Sequence, residues 1–311
     1  MICSQNDIKY YDDFYLTNYN TLKIKALAKR LYLPDNYGEL ISLFKRHKDD
    51  PPVVIGNGSN ILFSSLKIKK PIIYTGMIKS AVFVGNTAEV ETGVKTQNLA
   101  KMALEKELSG FEFLIGIPAT LGGAIYMNAG ANGQTISDKL VSCKVYDYEN
   151  NKVLNLKKEE MDFSYRHSIL KDKPYILLSA KFKLNRMPKE DIKSKMDENL
   201  IFRKNRQPNL SLPNAGSVFK NPVGCEFSAG ALIDKCNLRG FKYNDCEVYS
   251  NHCNFIINTG NANSVDYTNT IFEIYSKVKE KFGVELIPEI VYIGDMTKDE
   301  EEKWKILKQQ K

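Results

Sequence analysis

Five glycines fall between Gly116 and Gly133 in an otherwise apolar stretch, GIPATLGGAIYMNAGANG, and no other segment restricts the fold of this chain as much. Glycine weakens the interior of a helix or strand, so this density belongs where backbone turns tightly or approaches another group closely. A second glycine run, GNGSNIL (Gly56 to Leu62), follows the β-rich Val53 to Ile55 and precedes a strand-like KPIIYTG. Glycines after a strand let main-chain N–H groups crowd around an anion, and Ser59 and Asn60 add side-chain hydrogen bonds. Alone, that loop reads equally well as a tight turn. It is not a helix-opening dinucleotide fingerprint, because a strand follows it, nor a Walker loop, because no Gly-Lys-Ser/Thr follows. Two such loops together favour a cofactor that carries a diphosphate.

The chain has 311 residues, enough for two or three domains with a full core, and its 43% hydrophobic and 26% charged content is that of a globular protein. The start, MICSQNDIKYYDDFY, has no apolar segment after a basic one, and no stretch approaches the 18 apolar residues of a membrane span. A cytoplasmic location is therefore expected. Six cysteines (Cys3, Cys143, Cys225, Cys236, Cys246, Cys253) form no CxxC pair and read as reduced thiols. None of the three histidines stands at a metal-ligand spacing from cysteine or carboxylate, so no protein-bound metal is expected. The net charge of +7 is spread along the chain without a basic block interleaved with aromatics. An anionic small molecule is a better partner for it than nucleic acid.

Periodicity predicts a helix within PDNYGELISLFKRHKDD (34 to 50) with Asp35 as its cap, and another over 96 to 110 with Gly110 as its C-cap. Strands are expected at KLVSCKVYDYE and KPYILLSAKFKL, then a polar helix from about Lys189 to Asn205 and a proline-bearing connector, RQPNLSLP. Beyond it come a helix at SAGALIDKCN, a strand at NFIINTG, a helix at VDYTNTIFEIYSKVKEKFG, a strand at VELIPEIVYIG and a charged terminal helix.

GNGSNIL and GIPATLGGAIYMNAGANG together resemble the FAD-binding domain shared by vanillyl-alcohol-oxidase-like flavoproteins and the UDP-N-acetylenolpyruvoylglucosamine reductases. The later motifs YRHS (165 to 168), NAGSVFKNP (214 to 222), AGALID (229 to 234), NHCNFIIN (251 to 258) and VELIPEIVYIG (284 to 294) are similar to those of the reductase, in the same order. The resemblance runs from about Asn20 to Gly294. It implies an α+β fold: a two-part FAD-binding domain of mixed sheets and helices, 1–76 (completed by 287–311) and 77–203, with a smaller α+β substrate-binding domain, 204–286. It also implies non-covalent FAD, NADPH as hydride donor, a UDP-sugar enolpyruvate as substrate, and a monomer.

Hydride addition at C3 of the enolpyruvyl group builds negative charge at C2 and on its carboxylate, which asks for a cation, a hydrogen-bond donor and a proton donor. By the resemblance, Arg166 is the cation, Ser217 the proton donor and Glu289 the protonated acid that stabilises the enolate. From its own residues Ser217 reads as a turn serine after Gly216. Glu289, read alone, is either desolvated in its apolar run or exposed at an edge. The cofactor contacts implied are Gly56, Asn57, Gly58, Ser59, Asn60, Ile61, Gly116, Pro118, Ala119, Gly122, Gly123, Asn128 and Gly130. Those implied for substrate are Tyr165, Lys220, Asn221 and His252, the last reading equally as a packed core histidine.

The chain departs from the family pattern at Lys25 and Ala26, at Ala119 and at Asn244 and Asp245, all usual glycine positions. Asn and Asp tolerate positive φ, so the turn at 244 and 245 survives; Lys25 and Ala26 would be strained if their backbone needed it. The stretch of about 50 residues between YRHS and GSVFKNP carries no added tyrosine-bearing lid, as in the family's shorter type. Two alternatives remain at this point: a flavin-dependent oxidase with the same FAD domain, and a flavin- or nucleotide-binding protein without catalysis.

Overall fold

The computed structural model describes residues 8–308, so Cys3 lies outside the described residues. The chain forms two compact units. One holds the residues up to Tyr11, Leu31–Asn57 and Pro71–Arg203; the other holds Asp12–Arg30, Gly58–Lys70 and the chain from Lys204 onward. This differs from the three parts expected. The break placed after residue 76 falls inside the first unit, and the segment from 287 groups with 204–286. The reason is a strand pairing: Val291–Ile293 runs parallel to Ile61–Phe63, itself in the second unit.

In the first unit, α1 (Tyr37–Arg46) is capped by Asn36 rather than Asp35, because Asn36 Oδ1 accepts the Glu39 N–H at 2.9 Å. Its Leu40, Leu43 and Phe44 are buried, each contributing roughly 1.5–3 kcal/mol of transfer free energy. Helix α2 (Thr96–Glu105) stops short of Gly110; its C-cap is Lys106, and Glu107 takes the left-handed conformation at φ 54°. Helix α3 (Leu121–Tyr126) occupies the middle of the long glycine run, where a loop was expected. Helix α4 covers Lys189–Arg206.

An antiparallel sheet of five strands, in the order Lys152–Lys157, Leu140–Asp147, Tyr175–Lys183, Thr87–Glu91, Ala81–Val84, supports α2 and α3 through a core that includes Val90, Leu99, Leu121, Ile125, Val145 and Phe182. The two strands around GNGSNIL are present differently from a hairpin: Val53–Ile55 pairs in parallel with Ile72–Tyr74, so the glycine loop opens a crossover.

In the second unit a four-stranded antiparallel sheet runs Asn214–Ser217, Phe255–Asn258, Cys246–Val248, Lys242–Tyr243. The same unit holds α5 (Ala229–Lys235), α6 (Ser264–Phe282) and α7 (Lys298–Lys308), with α5 and α7 both against α6. Helix α6 starts at a reciprocal Asn263/Asp266 capping box and ends at Gly283, φ 65°. The terminal VELIPEIVYIG is strand only at Val291–Ile293. Asn244, φ 48°, carries the tight turn from Tyr243 to Cys246 as its residue type allows. The architecture is α+β, and Cys143, Cys225, Cys236, Cys246 and Cys253 are free thiols.

Candidate active site

The first glycine loop is shaped by close approaches. A Cβ on Gly56 would stand 2.1 Å from Thr120 Oγ1, and one on Gly58, whose φ is 65°, would stand 2.2 Å from the Tyr19 carbonyl oxygen. Asn57 Nδ2 donates to the Pro118 carbonyl at 2.8 Å, tying this loop to the other glycine run. The main-chain N–H groups of Asn57, Gly58 and Ser59 find no acceptor among the described residues. Three consecutive uncommitted donors are what an anionic group such as a diphosphate requires. Thr21 organises the neighbourhood within the second unit. Its N–H donates to the Gly58 carbonyl and its Oγ1 to the Asn214 carbonyl at 2.6 Å, while Asn214 N–H returns a bond to the Thr21 carbonyl. The strain feared at Lys25 and Ala26 does not arise: the left-handed residue of that turn is Lys23, φ 59°, and neither Lys25 nor Ala26 has positive φ.

The second glycine run works differently from a cradle of donors. Leu121 and Gly122 donate their N–H groups to the Val94 and Thr92 carbonyls, and Gly123 donates to Thr120 Oγ1, the cap of α3. Its glycines serve packing: a Cβ on Gly122 would lie 2.3 Å from Thr92 Oγ1, and one on Gly130 would lie 2.7 Å from the Gln134 carbonyl. Ala119 keeps a negative φ, so it needs no glycine. What the run leaves for a ligand is Asn128 Oδ1, on a side chain only 8% exposed and without a hydrogen-bond partner among the described residues. Arg203, absent from the sequence reading, lies with its Cδ 3.1 Å from a Cβ built on Gly116; burial pushes its pKa down. This sets a cation beside the glycine run. No helical or loop periodicity marks Arg203, since it stands on the polar α4.

Gly56→Ala is expected to destabilise the protein by about 1–3 kcal/mol through overpacking against Thr120. Urea unfolding of the FAD-free protein measures that change.

YRHS forms a tight turn in which the Ser164 and His167 main chains pair with one another and Arg166 sits at φ 57°. The Arg166 guanidinium lies 5.4 Å from the centre of the Tyr165 ring, which is 55% exposed. His167 Nε2 is 3.4 Å from Asp162 Oδ2 and 3.1 Å from Asp172 Oδ2. The structure thus gathers two carboxylates on a histidine for which the sequence spacing suggested no such company; the ligand atoms of the three residues lie within 4.8 Å of one another, and both aspartates are exposed.

In the second unit, Ser217 ends a strand with a bulge: Asn214 pairs with Ile257 and Ser217 with Phe255, and Gly216 between them has φ 77°. A Cβ on Gly216 would meet only the Ser59 carbonyl, at 3.7 Å, so the strand passes close to the first glycine loop. Ser217 Oγ makes no hydrogen bond with any described residue, whereas a turn serine would bond to its own backbone. The following residues are held firmly. Val218 N–H donates to the Asn254 carbonyl, Asn254 exchanges two bonds with the Phe219 main chain, and Glu289 N–H donates to the Val218 carbonyl at 2.7 Å. Asn60 Nδ2 donates to the Glu289 carbonyl at 3.1 Å. Ser217, Glu289 and Asn60 are thereby brought together. Glu289 is half-buried and precedes the terminal strand, between the desolvated and the exposed-edge settings its sequence left open.

Lys220 follows on the same segment, and Asn221 Oδ1 accepts the Ala229 N–H at the start of α5, which fixes the orientation of its amide. His252 stacks edge-on against Phe255 at 4.8 Å, and burial lowers its pKa; the packed reading describes its surroundings.

These loops and the domain that carries them define a flavoprotein: residues 28–157 match the family described as FAD binding domain, and FAD is the cofactor. Residues 207–293 match the C-terminal domain of UDP-N-acetylenolpyruvoylglucosamine reductase. The reductase of that name from Caldanaerobacter subterraneus subsp. tengcongensis is 42% identical over 289 residues, covering 92% of this chain and 94% of the relative. That of Lactococcus lactis subsp. cremoris (strain MG1363) is 40% identical over 282 residues, 90% of this chain and 93% of the relative. The crystal structure of the reductase from Thermus caldophilus shares the fold at a TM-score of 0.77 and 31% identity, over 92% of this chain and 99% of that one. The chain belongs to the UDP-N-acetylenolpyruvoylglucosamine reductase family and is an oxidoreductase, which sets aside both the oxidase and the non-catalytic alternatives. No helix among the described residues is long and apolar enough to cross a membrane.

Proposed function

We propose that this protein reduces the enolpyruvyl group of UDP-N-acetylglucosamine enolpyruvate to UDP-N-acetylmuramate with NADPH, in bacterial peptidoglycan precursor synthesis. Bound FAD supplies the hydride relay between nicotinamide and C3 of the enolpyruvyl group. The remaining work falls to side chains. Arg166 meets the substrate carboxylate with a two-donor fork, and its charge opposes the negative charge that develops there. Tyr165 lines the same turn. Ser217 gives its hydroxyl proton to C2: the O–H bond breaks, a C–H bond forms, and Lys220 or water returns the proton. Glu289 in its protonated form donates a hydrogen bond to the enolate oxygen. Lys220 and the amide of Asn221 contact the sugar or the phosphates, while His252 supports the wall behind them.

The observation that carries this reading is the uncommitted Ser217 hydroxyl on a bulged strand, one residue from the carbonyl that fixes Glu289. The substrates are water-soluble nucleotides, which suits a cytoplasmic monomer. Purified protein containing flavin is expected to oxidise NADPH only when the enolpyruvyl nucleotide is present. Flavin-loaded protein that leaves NADPH untouched in that mixture would defeat the proposal.

A further inference from the structure

We infer that the end of α3 sets the geometry of the Arg166 turn, so that the second glycine run and the substrate-facing arginine behave as one mechanical part. This rests on the reading of Arg166 as the cation for the substrate carboxylate. Arg166 is a non-glycine residue at φ 57°, a conformation that its neighbours must hold in place. Two ties run from the turn to the residues that close α3. Asn128 Nδ2 donates to the Ser164 carbonyl at 3.0 Å, and the fully buried Ser168 donates through Oγ to the Tyr126 carbonyl at 3.0 Å. A third contact completes the brace: Lys171 Nζ donates to the Arg166 carbonyl at 2.8 Å while lying 5.2 Å from the centre of the Tyr126 ring.

Asn128 makes the connection to the cofactor. Its amide nitrogen holds the turn, and its Oδ1, buried and without a partner among the described residues, remains to accept an N–H or O–H of bound FAD. Asn128 itself sits at φ 41°, where asparagine is among the few tolerated side chains. The Asp162–His167–Asp172 cluster braces the same turn from its exposed side. Ser168, Lys171 and Asn128 are positioning residues, acting through Arg166.

Three variants each remove one tie: Ser168→Ala, Lys171→Met and Asn128→Gly, glycine being compatible with the backbone at 128. Substrate affinity is read from the perturbation of flavin absorbance in the oxidised holoenzyme, together with FAD content, unfolding temperature, and kcat and KM. For Ser168→Ala and Lys171→Met, the substrate dissociation constant and KM are expected to rise about tenfold, the scale of one lost hydrogen bond, with FAD content and saturated kcat little changed. Lys171→Arg, which retains a donor, restores affinity. Asn128→Gly loses FAD and substrate affinity together. Added to Arg166→Ala, the Ser168→Ala change costs no further affinity, because the tie acts through the arginine.

If Arg166→Ala weakens substrate binding while neither Ser168→Ala nor Lys171→Met does, the inference fails and the functional reading stands. If Arg166→Ala leaves binding intact, the functional reading fails. Equal losses of unfolding temperature, FAD content and substrate affinity in Ser168→Ala, without rescue by Lys171→Arg at its own site, mark a purely structural role and overturn the inference. Lys171 is half-buried where Ser168 is fully buried, so its variants remain readable where Ser168→Ala does not fold.

Discussion

In Ser217→Ala, reoxidation of reduced flavin by the enolpyruvyl nucleotide is expected to fall about 10²-fold or more, while reduction of the flavin by NADPH stays near the wild-type rate. The split follows from where the hydroxyl acts. NADPH delivers hydride without needing a proton from the protein, whereas the substrate half-reaction leaves a carbanion-like C2 that must be protonated before product can leave. Replacing the hydroxymethyl group by methyl removes that proton without disturbing the strand, because Ser217 Oγ holds nothing in place among the described residues. Anaerobic stopped flow resolves the two half-reactions. An unchanged substrate half-reaction would remove Ser217 from the mechanism and return it to the role of a turn residue.

Arg166→Lys is expected to lower kcat/KM by about 10²-fold although charge is retained, equivalent to about 2.7 kcal/mol of transition-state stabilisation. Two features of the site make lysine a poor replacement. A guanidinium offers a planar pair of donors to a carboxylate, and its delocalised charge sits well over an aromatic ring such as Tyr165, whose centre is 5.4 Å away; an ammonium group does neither as well. The left-handed backbone at Arg166 is no easier for lysine, so the substitution does not relieve strain that could mask the loss. Steady-state kinetics with varied enolpyruvyl nucleotide measure the effect, and near wild-type turnover would show that charge alone suffices there.

Secondary structure was legible where pattern and caps agreed. Helix α6 is an example: Asn263 and Asp266 at its start, Gly283 at its end and a regular apolar stripe between them settle its limits locally. It was less legible where a side chain competes for a role with its neighbour. Asp35 and Asn36 are both good caps, and the choice fell to Asn36 because Glu39 reaches back to the Asp35 N–H. The glycine run misled in another way. Its density suggested a loop full of free N–H donors, yet Gly122 and Gly123 are helical and their donors are taken up by Thr92 and Thr120. Glycine is required there because Thr92 crowds the helix, and that crowding comes from a strand end distant in sequence.

The candidate site divides in the same manner. Motif order is what puts Arg166, Ser217 and Glu289 forward for the proposed site, and noticing those three segments needs no contact map. Arg203 and Thr21 were missed because each acts on glycines far along the chain, Gly116 and Gly58, and neither carries a local signature. The doubts over Lys25 and Ala26 were likewise a question of φ, which residue type constrains but does not assign; the chain put its left-handed turn on Lys23 instead.

By itself, the sequence determined a globular chain with two glycine runs and, through the family resemblance of its short motifs, an α+β flavoprotein with a reductase-type C-terminal region, since composition and motifs are local properties of the chain. Only the tertiary structure decided which glycine loop keeps free donors, which serine hydroxyl is uncommitted and which carbonyl fixes Glu289. Those outcomes depend on hydrogen bonds between segments remote in sequence, such as Thr21 with Gly58 and Asn214, and such bonds exist only once the chain has folded.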